Sequence, residues 1–117
     1  MKNTALLVMD MQSSIVSTLP DTEELVSKLK GAIKAAKNHQ IPVIYITVNL
    51  RQGMPEIIAN NKAFSATKTR MADIDMKEWA RIYPELNPEE HDIVIAKKRF
   101  SAFTGSDLEV ILRGLDI

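Results

Sequence analysis

Two continuous apolar runs, with helically spaced apolar residues between them, predict the first elements of an α/β fold. Residues 5–9 and 43–48, ALLVM and VIYITV, are apolar runs with almost no polar interruption, which is typical of strands buried on both faces. Between them, Asp21 and Glu24 have the spacing of a helix-capping box, and the apolar residues that follow recur at helical spacing against a lysine-rich face. This order of strand, helix and strand predicts a βαβ unit with a parallel sheet.

A third strand and a further helix are predicted near the end of the chain. Residues 92–96 are mainly apolar, and Ser106 and Glu109 repeat the capping-box spacing. The apolar face of the helix that follows consists of Leu108, Ile111, Leu112 and Leu115. Residues 49–91 show no strong periodicity, so short helices or functional loops are expected there. No linker or repeat divides the chain, and residues 1–117 are predicted to form a single α/β domain.

Composition and charge narrow the classes of function. The 117 residues carry 15 basic and 15 acidic side chains, so no global field favours nucleic acid or an anionic membrane. The sequence contains no cysteine, which excludes disulfides and zinc–thiolate sites within these residues. The apolar run at residues 5–9 is too short for a signal peptide or a membrane span. We therefore expect a cytoplasmic protein that has neither a nucleic-acid nor a membrane partner.

Two charged residues stand at the ends of predicted strands. Asp10 follows the first strand and Lys97 follows the third, and open parallel sheets bind ligands at the carboxyl ends of their strands. Asp10 could instead cap the turn that follows it, and Lys97 could be a solvated charge like its neighbours Lys98 and Arg99. If Asp10 and Lys97 serve one site, their side chains should converge within hydrogen-bond distance or be joined by one water.

Three stretches together resemble the isochorismatase-like cysteine hydrolase superfamily. They are LLVMDMQ at residues 6–12, IPVIYITVN at 41–49, and PELNPEEHDIVIAKKRFSAFTGSDLEVILRGLDI at 84–117. The D-x-Q element is weak by itself, but its combination with K-x-R-x-S-A-F at residues 97–103 is fairly specific. The resemblance implies a three-layer α/β/α fold with a mostly parallel, Rossmann-like sheet.

The same resemblance implies roles for four residues of this chain. Asp10 and Lys97 match two members of an Asp-Lys-Cys catalytic triad, and Gln12 and Phe103 match positions expected to contact substrate. The cysteine would lie beyond Ile117. A lysine cation favours the reactive thiolate, and a carboxylate can take the thiol proton and return it to the leaving group. The implied activity is hydrolysis of a small C–N or vinyl-ether substrate.

No metal or other cofactor is expected from the sequence. Relatives that hold a metal carry an Asp-x-His element after the second strand, whereas this chain has Asn49 and Arg51 there. Its two histidines, His39 and His91, stand at a helix end and in a turn, where surface positions are the commoner outcome. The alternative is a non-catalytic binding or assembly domain in which Asp10 and Lys97 form a structural ion pair.

The resemblance covers only the N-terminal part of the family's domain. We therefore expect either further chain or another subunit, in a homo-oligomer or with a second chain, to complete the fold. Uncovered apolar surface forfeits roughly 25 cal/mol per Å², whereas a whole domain is stable by only about 5–15 kcal/mol. The isolated 117-residue chain is accordingly not expected to be a stable monomer, which sedimentation and thermal melting would test.

Overall fold

The computed structural model describes residues 3–58, 60, 62 and 65–117, and its centre is a parallel three-stranded sheet. The strands are β1 (Leu6–Met9), β2 (Val43–Val48) and β3 (Ile93–Lys97), in the spatial order β1-β2-β3. In register, Tyr45 of β2 lies opposite Val8 of β1 and Val94 of β3. The predicted parallel sheet is confirmed, with strand limits that differ from the predicted ones by at most one residue.

The described residues also contain five α-helices and one 3₁₀ turn. They are α1 (Ser13–Val16), α2 (Thr22–Asn38), α3 (Ser65–Arg70), α4 (Met76–Trp79), α5 (Leu108–Gly114) and the 3₁₀ turn Pro84–Leu86. The long helix α2 is the crossover between β1 and β2, as its apolar stripe predicted. The weakly patterned region between β2 and β3 contains α3, α4 and the 3₁₀ turn, which are the short helices expected there.

Helices cover both faces of the sheet. The residues buried between α2 and the sheet include Val26, Ile33, Ala36, Val8 and Tyr45. On the opposite face, Leu108 of α5 packs with Ile44, Ile46 and Ile95. Because successive residues of β2 enter opposite cores, both sets must be apolar, which explains the uninterrupted run VIYITV. The three-layer α/β/α architecture is thereby confirmed.

The two predicted capping boxes form differently from the standard pattern. Asp21 precedes α2 with a left-handed backbone (φ 51°) and makes no side-chain cap bond, because an N-cap needs extended geometry to direct its carboxylate at the first turn. Ser106 Oγ accepts a hydrogen bond from Leu108 N, but α5 begins only at Leu108. The sequence therefore placed both helices correctly, although the capping contacts differ.

The outer strands of the sheet and one face of α5 are partly uncovered. Among the described residues, β1 and β3 each pair on one side only, and Val94 and Val110 are exposed. The completion of the fold by further chain or by another subunit stays a prediction. No helix in the described part of the chain is long and apolar enough to cross a membrane.

Candidate active site

Asp10 and Lys97 meet at the carboxyl edge of the sheet, as expected if they serve one site. Lys97 Nζ lies 3.0 Å from Asp10 Oδ1 and donates a hydrogen bond to Oδ2 at 3.3 Å. Nζ also donates to the carbonyl of Phe100 at 3.2 Å. Oδ1 is a buried atom with no aligned hydrogen-bond donor among the described residues. The pair therefore combines a fixed ammonium with a carboxylate oxygen that still has acceptor capacity.

Backbone structure explains why the two side chains converge. Asp10 directly follows β1 in a left-handed conformation (φ 61°), and its N–H donates to the carbonyl of Ile46 at 2.8 Å. This bond continues the ladder to β2 for one residue while the positive φ ends the strand. Lys97 is the last residue of β3. Aspartate tolerates the left-handed region better than most residues, so this turn suits the residue that occupies it.

The burial of the pair is unequal. The Lys97 side chain is 7% exposed, whereas the Asp10 side chain is 40% exposed. A buried ammonium needs nearby acceptors, and the Asp10 carboxylate and the Phe100 carbonyl provide them. The cation is thus held rigidly inside the protein, and the carboxylate is the member of the pair that other groups can approach.

A pocket of about 270 Å³ opens beside this ion pair. Its walls are formed by Ile15, Val48, Leu50, Ile57 and Phe100, and its charged lining consists of Asp10, Lys97, Lys98 and Arg99. A larger cavity of about 490 Å³ lies along α2 and the 3₁₀ turn, but neither Asp10 nor Lys97 lines it. Because small-molecule sites combine apolar walls with a few convergent polar groups, the smaller pocket is the better candidate for substrate.

Gln12 is fully buried and its amide is engaged by the backbone. Nε2 donates to the carbonyls of Val48 at 3.1 Å and Trp79 at 3.0 Å, and Oε1 accepts from Val48 N at 2.6 Å. These bonds join the turn after β1 to the end of β2 and to α4. Substrate contact by Gln12 stays a prediction, and the geometry favours a role in positioning the pocket's backbone.

Phe103 is exposed and does not line the pocket, whereas Phe100 does. The backbone N–H of Phe103 donates to Ser101 Oγ within the turn that follows β3. Sequence reasoning selected Phe103 because it belongs to the K-x-R-x-S-A-F motif, and it missed Phe100, whose distance of only three residues from Lys97 was the available signal. Substrate contact by Phe103 stays a prediction.

Lys98 and Arg99 contact the segment that follows β2. Lys98 Nζ donates to the carbonyl of Asn49 and lies 3.8 Å from Glu56 Oε2, and Arg99 Nη2 donates to the carbonyl of Glu56 at 2.9 Å. Burial alone would raise the pKa of the Glu56 carboxyl, but backbone hydrogen bonds and the charges of Lys98 and Arg51 outweigh it and lower this pKa. The interpretation of Lys98 and Arg99 as solvated strand-end charges is therefore incomplete.

Side chains of the metal-ligand type cluster at the other end of β3. Within the part of the chain that the structure describes, the potential ligand atoms of Glu89, His91 and Asp92 lie within 4.8 Å of one another. Lys37 Nζ already contacts both carboxylates, at 3.4 Å from Glu89 Oε1 and 3.2 Å from Asp92 Oδ2. An ammonium thus balances this acidic group, and the group lies away from the pocket.

Comparison with known proteins identifies the family of this arrangement. The family model described as the isochorismatase domain matches residues 4–117. Enterobactin synthase component B of Escherichia coli (strain K12) is 30% identical over 113 residues, which are 93% of this chain and 38% of that protein. N-carbamoylsarcosine amidase of Arthrobacter sp. is 30% identical over 95 residues, 80% of this chain and 36% of that protein.

Solved structures of the same family share the fold. An isochorismatase family protein from Burkholderia thailandensis superimposes with a TM-score of 0.78 at 26% identity, over 98% of this chain and 60% of that one. The chain thus spans less than two thirds of the length of each of these three proteins.

Proposed function

The chain belongs to the isochorismatase family, and on that premise we propose that it supplies Asp10 and Lys97 to a hydrolase acting on a small C–N or vinyl-ether substrate. The nucleophile would be a cysteine outside the 117 residues, since these contain none. Asp10 acts as the general base and acid, and Lys97 favours the thiolate. No cofactor takes part in this scheme.

The observation that carries the proposal is the geometry of the ion pair. A free thiol has a pKa near 8.5 and is mostly protonated at neutral pH, so it needs both a proton acceptor and a nearby cation. Asp10 Oδ1 is buried without an aligned donor, and Lys97 Nζ lies 3.0 Å from it. A thiol placed against the exposed part of the Asp10 carboxylate could transfer its proton to that carboxylate, leaving a thiolate next to the ammonium.

The pocket and the relatives support the substrate class. Apolar walls around about 270 Å³ suit a small molecule whose polar, reacting end faces Asp10 and Lys97. One relative is named an amidase, an enzyme that hydrolyses C–N bonds. For a C–N substrate, attack of the thiolate on the carbonyl carbon would form a thioester and break the C–N bond, and the nitrogen leaving group would take the proton held by Asp10. Asp10 would then accept a proton from the water that hydrolyses the thioester and return it to the thiol.

A direct test compares the 117-residue chain with a protein in which its coding sequence continues to a cysteine. The chain alone should hydrolyse neither N-carbamoyl amino acids nor a vinyl ether, because Asp10 and Lys97 provide charge and positioning but no nucleophile. The continued protein should hydrolyse a member of one substrate class, and iodoacetamide should abolish this activity by alkylating the thiol.

Two variants make the test specific. Asp10→Asn should abolish the iodoacetamide-sensitive activity, whereas Asp107→Asn, at an exposed position with no side-chain cap bond, should retain it. Hydrolysis that survives iodoacetamide or the Asp10→Asn change would overturn the proposal. A coding sequence that continues without a cysteine would overturn the thiolate mechanism and favour the non-catalytic alternative with a structural Asp10–Lys97 pair.

A further inference from the structure

We propose that Glu56 is a positioning residue that holds one wall of the pocket in place by fastening the segment after β2 to the end of β3. The segment is residues 49–58, and we call it the wall segment because its Leu50 and Ile57 line the pocket. This inference concerns the shape of the pocket and does not depend on the chemistry proposed for it.

The Glu56 carboxylate closes the wall segment on itself. It accepts the backbone N–H of Arg51 at 3.3 Å on Oε1 and 3.1 Å on Oε2, and the Arg51 guanidinium at 3.0 Å on Oε2. The Glu56 side chain is only 10% exposed, although it carries a charge. A carboxylate buried to this degree is stable only when charged or N–H groups surround it, so the fold is organised around these contacts.

The same residue connects the wall segment to the residues after β3. Arg99 donates to the Glu56 carbonyl at 2.9 Å, and Lys98 lies 3.8 Å from the Glu56 carboxylate. Lys98 also donates to the carbonyl of Asn49, at the start of the segment. Both ends of the segment are thus bonded to the two residues that directly follow Lys97. These bonds fix the position of the wall segment relative to the ion pair.

The turn inside the wall segment explains why fastening is needed. Gly53 and the buried Met54 both have positive φ, at 80° and 51°, and for methionine this conformation is unfavourable. The turn is closed by bonds from Met54 N to the Arg51 carbonyl and from Ile57 N to the Met54 carbonyl. A strained turn persists only when its surroundings restrain it, and the Glu56 contacts restrain both of its sides.

An apolar cluster is the competing explanation for the position of the wall. Leu50, Met54 and Ile57 are buried with Met71 and Met76, and Trp79 packs against them. If this cluster alone fixed the segment, the polar contacts of Glu56 would be dispensable. The cluster also provides a spectroscopic probe, because Trp79 is the only tryptophan of the chain.

The test measures amide hydrogen exchange and Trp79 fluorescence in the protein with its fold completed, as an assembly of the 117-residue chain or as the continued chain, and in its Glu56→Ala variant. Exchange at Arg51, Met54 and Ile57 should accelerate at least about tenfold, since bonds to a buried charge are among the stronger ones. Exchange at the Asp10 amide, bonded to Ile46 within the sheet, should not change. Trp79 emission should shift to the red because release of the segment exposes the ring.

Three further variants make the result specific. Glu109→Ala removes an exposed carboxylate paired with Arg113 on α5 and should leave both signals unchanged. Arg99→Met and Lys98→Met should shift both signals in the same direction as Glu56→Ala, and they leave the Arg51 contacts intact. Unchanged exchange in Glu56→Ala, or equal acceleration at the Asp10 amide, would overturn the inference in favour of the apolar cluster.

Discussion

Two lysine–aspartate pairs lie at the two ends of the strands of the sheet, one at the carboxyl edge and one at the amino edge. In the first pair the lysine is the buried member, and in the second pair the aspartate is. At the carboxyl edge, the Lys97 side chain is 7% exposed and that of Asp10 is 40% exposed. At the amino edge, Lys37 is 31% exposed and Asp92, which directly precedes β3, is 7% exposed. The two pairs have the same chemical composition and similar distances, 3.0 and 3.2 Å.

The difference lies in which member other molecules can reach. Asp92 Oδ2 accepts the backbone N–H of Glu89 at 2.7 Å as well as the Lys37 ammonium, so its carboxylate organises the turn before β3. Asp10 has an oxygen without an aligned donor, and it lines a pocket. A buried carboxylate that serves the backbone is structural, whereas an accessible carboxylate beside a buried cation can exchange a proton with a reactant.

The largest expected difference between the pairs is catalytic. In a protein that continues the chain to a reactive cysteine, Lys97→Met should lower kcat by about 10²–10⁴-fold, the range typical for loss of a positioned catalytic group. It should also raise the pKa of the thiol, because the cation that favours the thiolate is gone. Lys37→Met should change kcat by less than about twofold, because Lys37 lies at the amino edge.

The thiol pKa can be measured without knowing the substrate. The rate of alkylation by iodoacetamide, followed from pH 5 to 10, gives the fraction of thiolate directly (the pH range is roughly that in which cysteines titrate). Lys37→Met is the matched control in the same assay. An unchanged thiol pKa in Lys97→Met would remove Lys97 from the mechanism.

The second difference between the pairs concerns stability. Here the larger loss is expected for Lys37→Met, whereas the larger loss of kcat is expected for Lys97→Met. Lys37→Met leaves the nearly buried Asp92 carboxylate without its cation, which should lower the free energy of unfolding by about 1–3 kcal/mol. Lys97→Met removes a buried charge and leaves Asp10, whose side chain is partly open to solvent. Because water can solvate the exposed part of the Asp10 carboxylate, removal of its partner should cost less than about 1 kcal/mol.

Urea denaturation of both variants in the completed protein, at one fixed protein concentration and followed by the fluorescence of Trp79, measures these free energies. A larger loss in Lys97→Met than in Lys37→Met would mean that the carboxyl-edge pair is the structural one. That outcome would favour the non-catalytic alternative. Together with the thiol measurement, the two substitutions therefore separate a functional pair from a structural pair.

The sheet and the ion pair could be predicted from the sequence because both depend on local rules. Strands such as residues 43–48 are buried on both faces and therefore contain uninterrupted apolar residues. Parallel strands place their carboxyl ends at one edge, which brings Asp10 and Lys97 near each other once the strands are placed.

The walls of the pocket could not be predicted in this way. Leu50 and Ile57 reach the pocket through a turn with positive φ at Met54, a residue type that gives no signal for such a turn. The contacts of Glu56 with Lys98 and Arg99 span more than 40 residues in sequence and depend on where those two residues lie after β3. These positions result from tertiary packing, which the spacing of apolar residues does not encode.

The smallest expected effect is the pH dependence of the stability that the Lys37–Asp92 pair contributes. Burial lowers the pKa of the Lys37 ammonium, but the Asp92 and Glu89 carboxylates outweigh it, and the net pKa is raised above the ordinary 10.5. A group with a raised pKa in the folded state contributes stability that is complete below 10.5 and is lost as pH rises through the folded value. The part of the Lys37 contribution that depends on its charge should be below about 1 kcal/mol, because Lys37 is partly solvated and its neutral amine can still donate a hydrogen bond to Asp92 Oδ2.

The measurement is the difference in free energy of unfolding between the unmodified chain and Lys37→Met, from neutral pH to above 11, where lysines lose their charge. This difference should be constant up to about pH 10 and shrink above it, because deprotonation then removes the ion pair from the unmodified chain. Burial also raises the pKa of the Tyr45 phenol, but Tyr45 is present in both proteins and its contribution largely cancels. A difference that stays constant through the alkaline range would show that the Lys37 ammonium does not stabilise Asp92. The contrast between the two edges would then rest on burial alone.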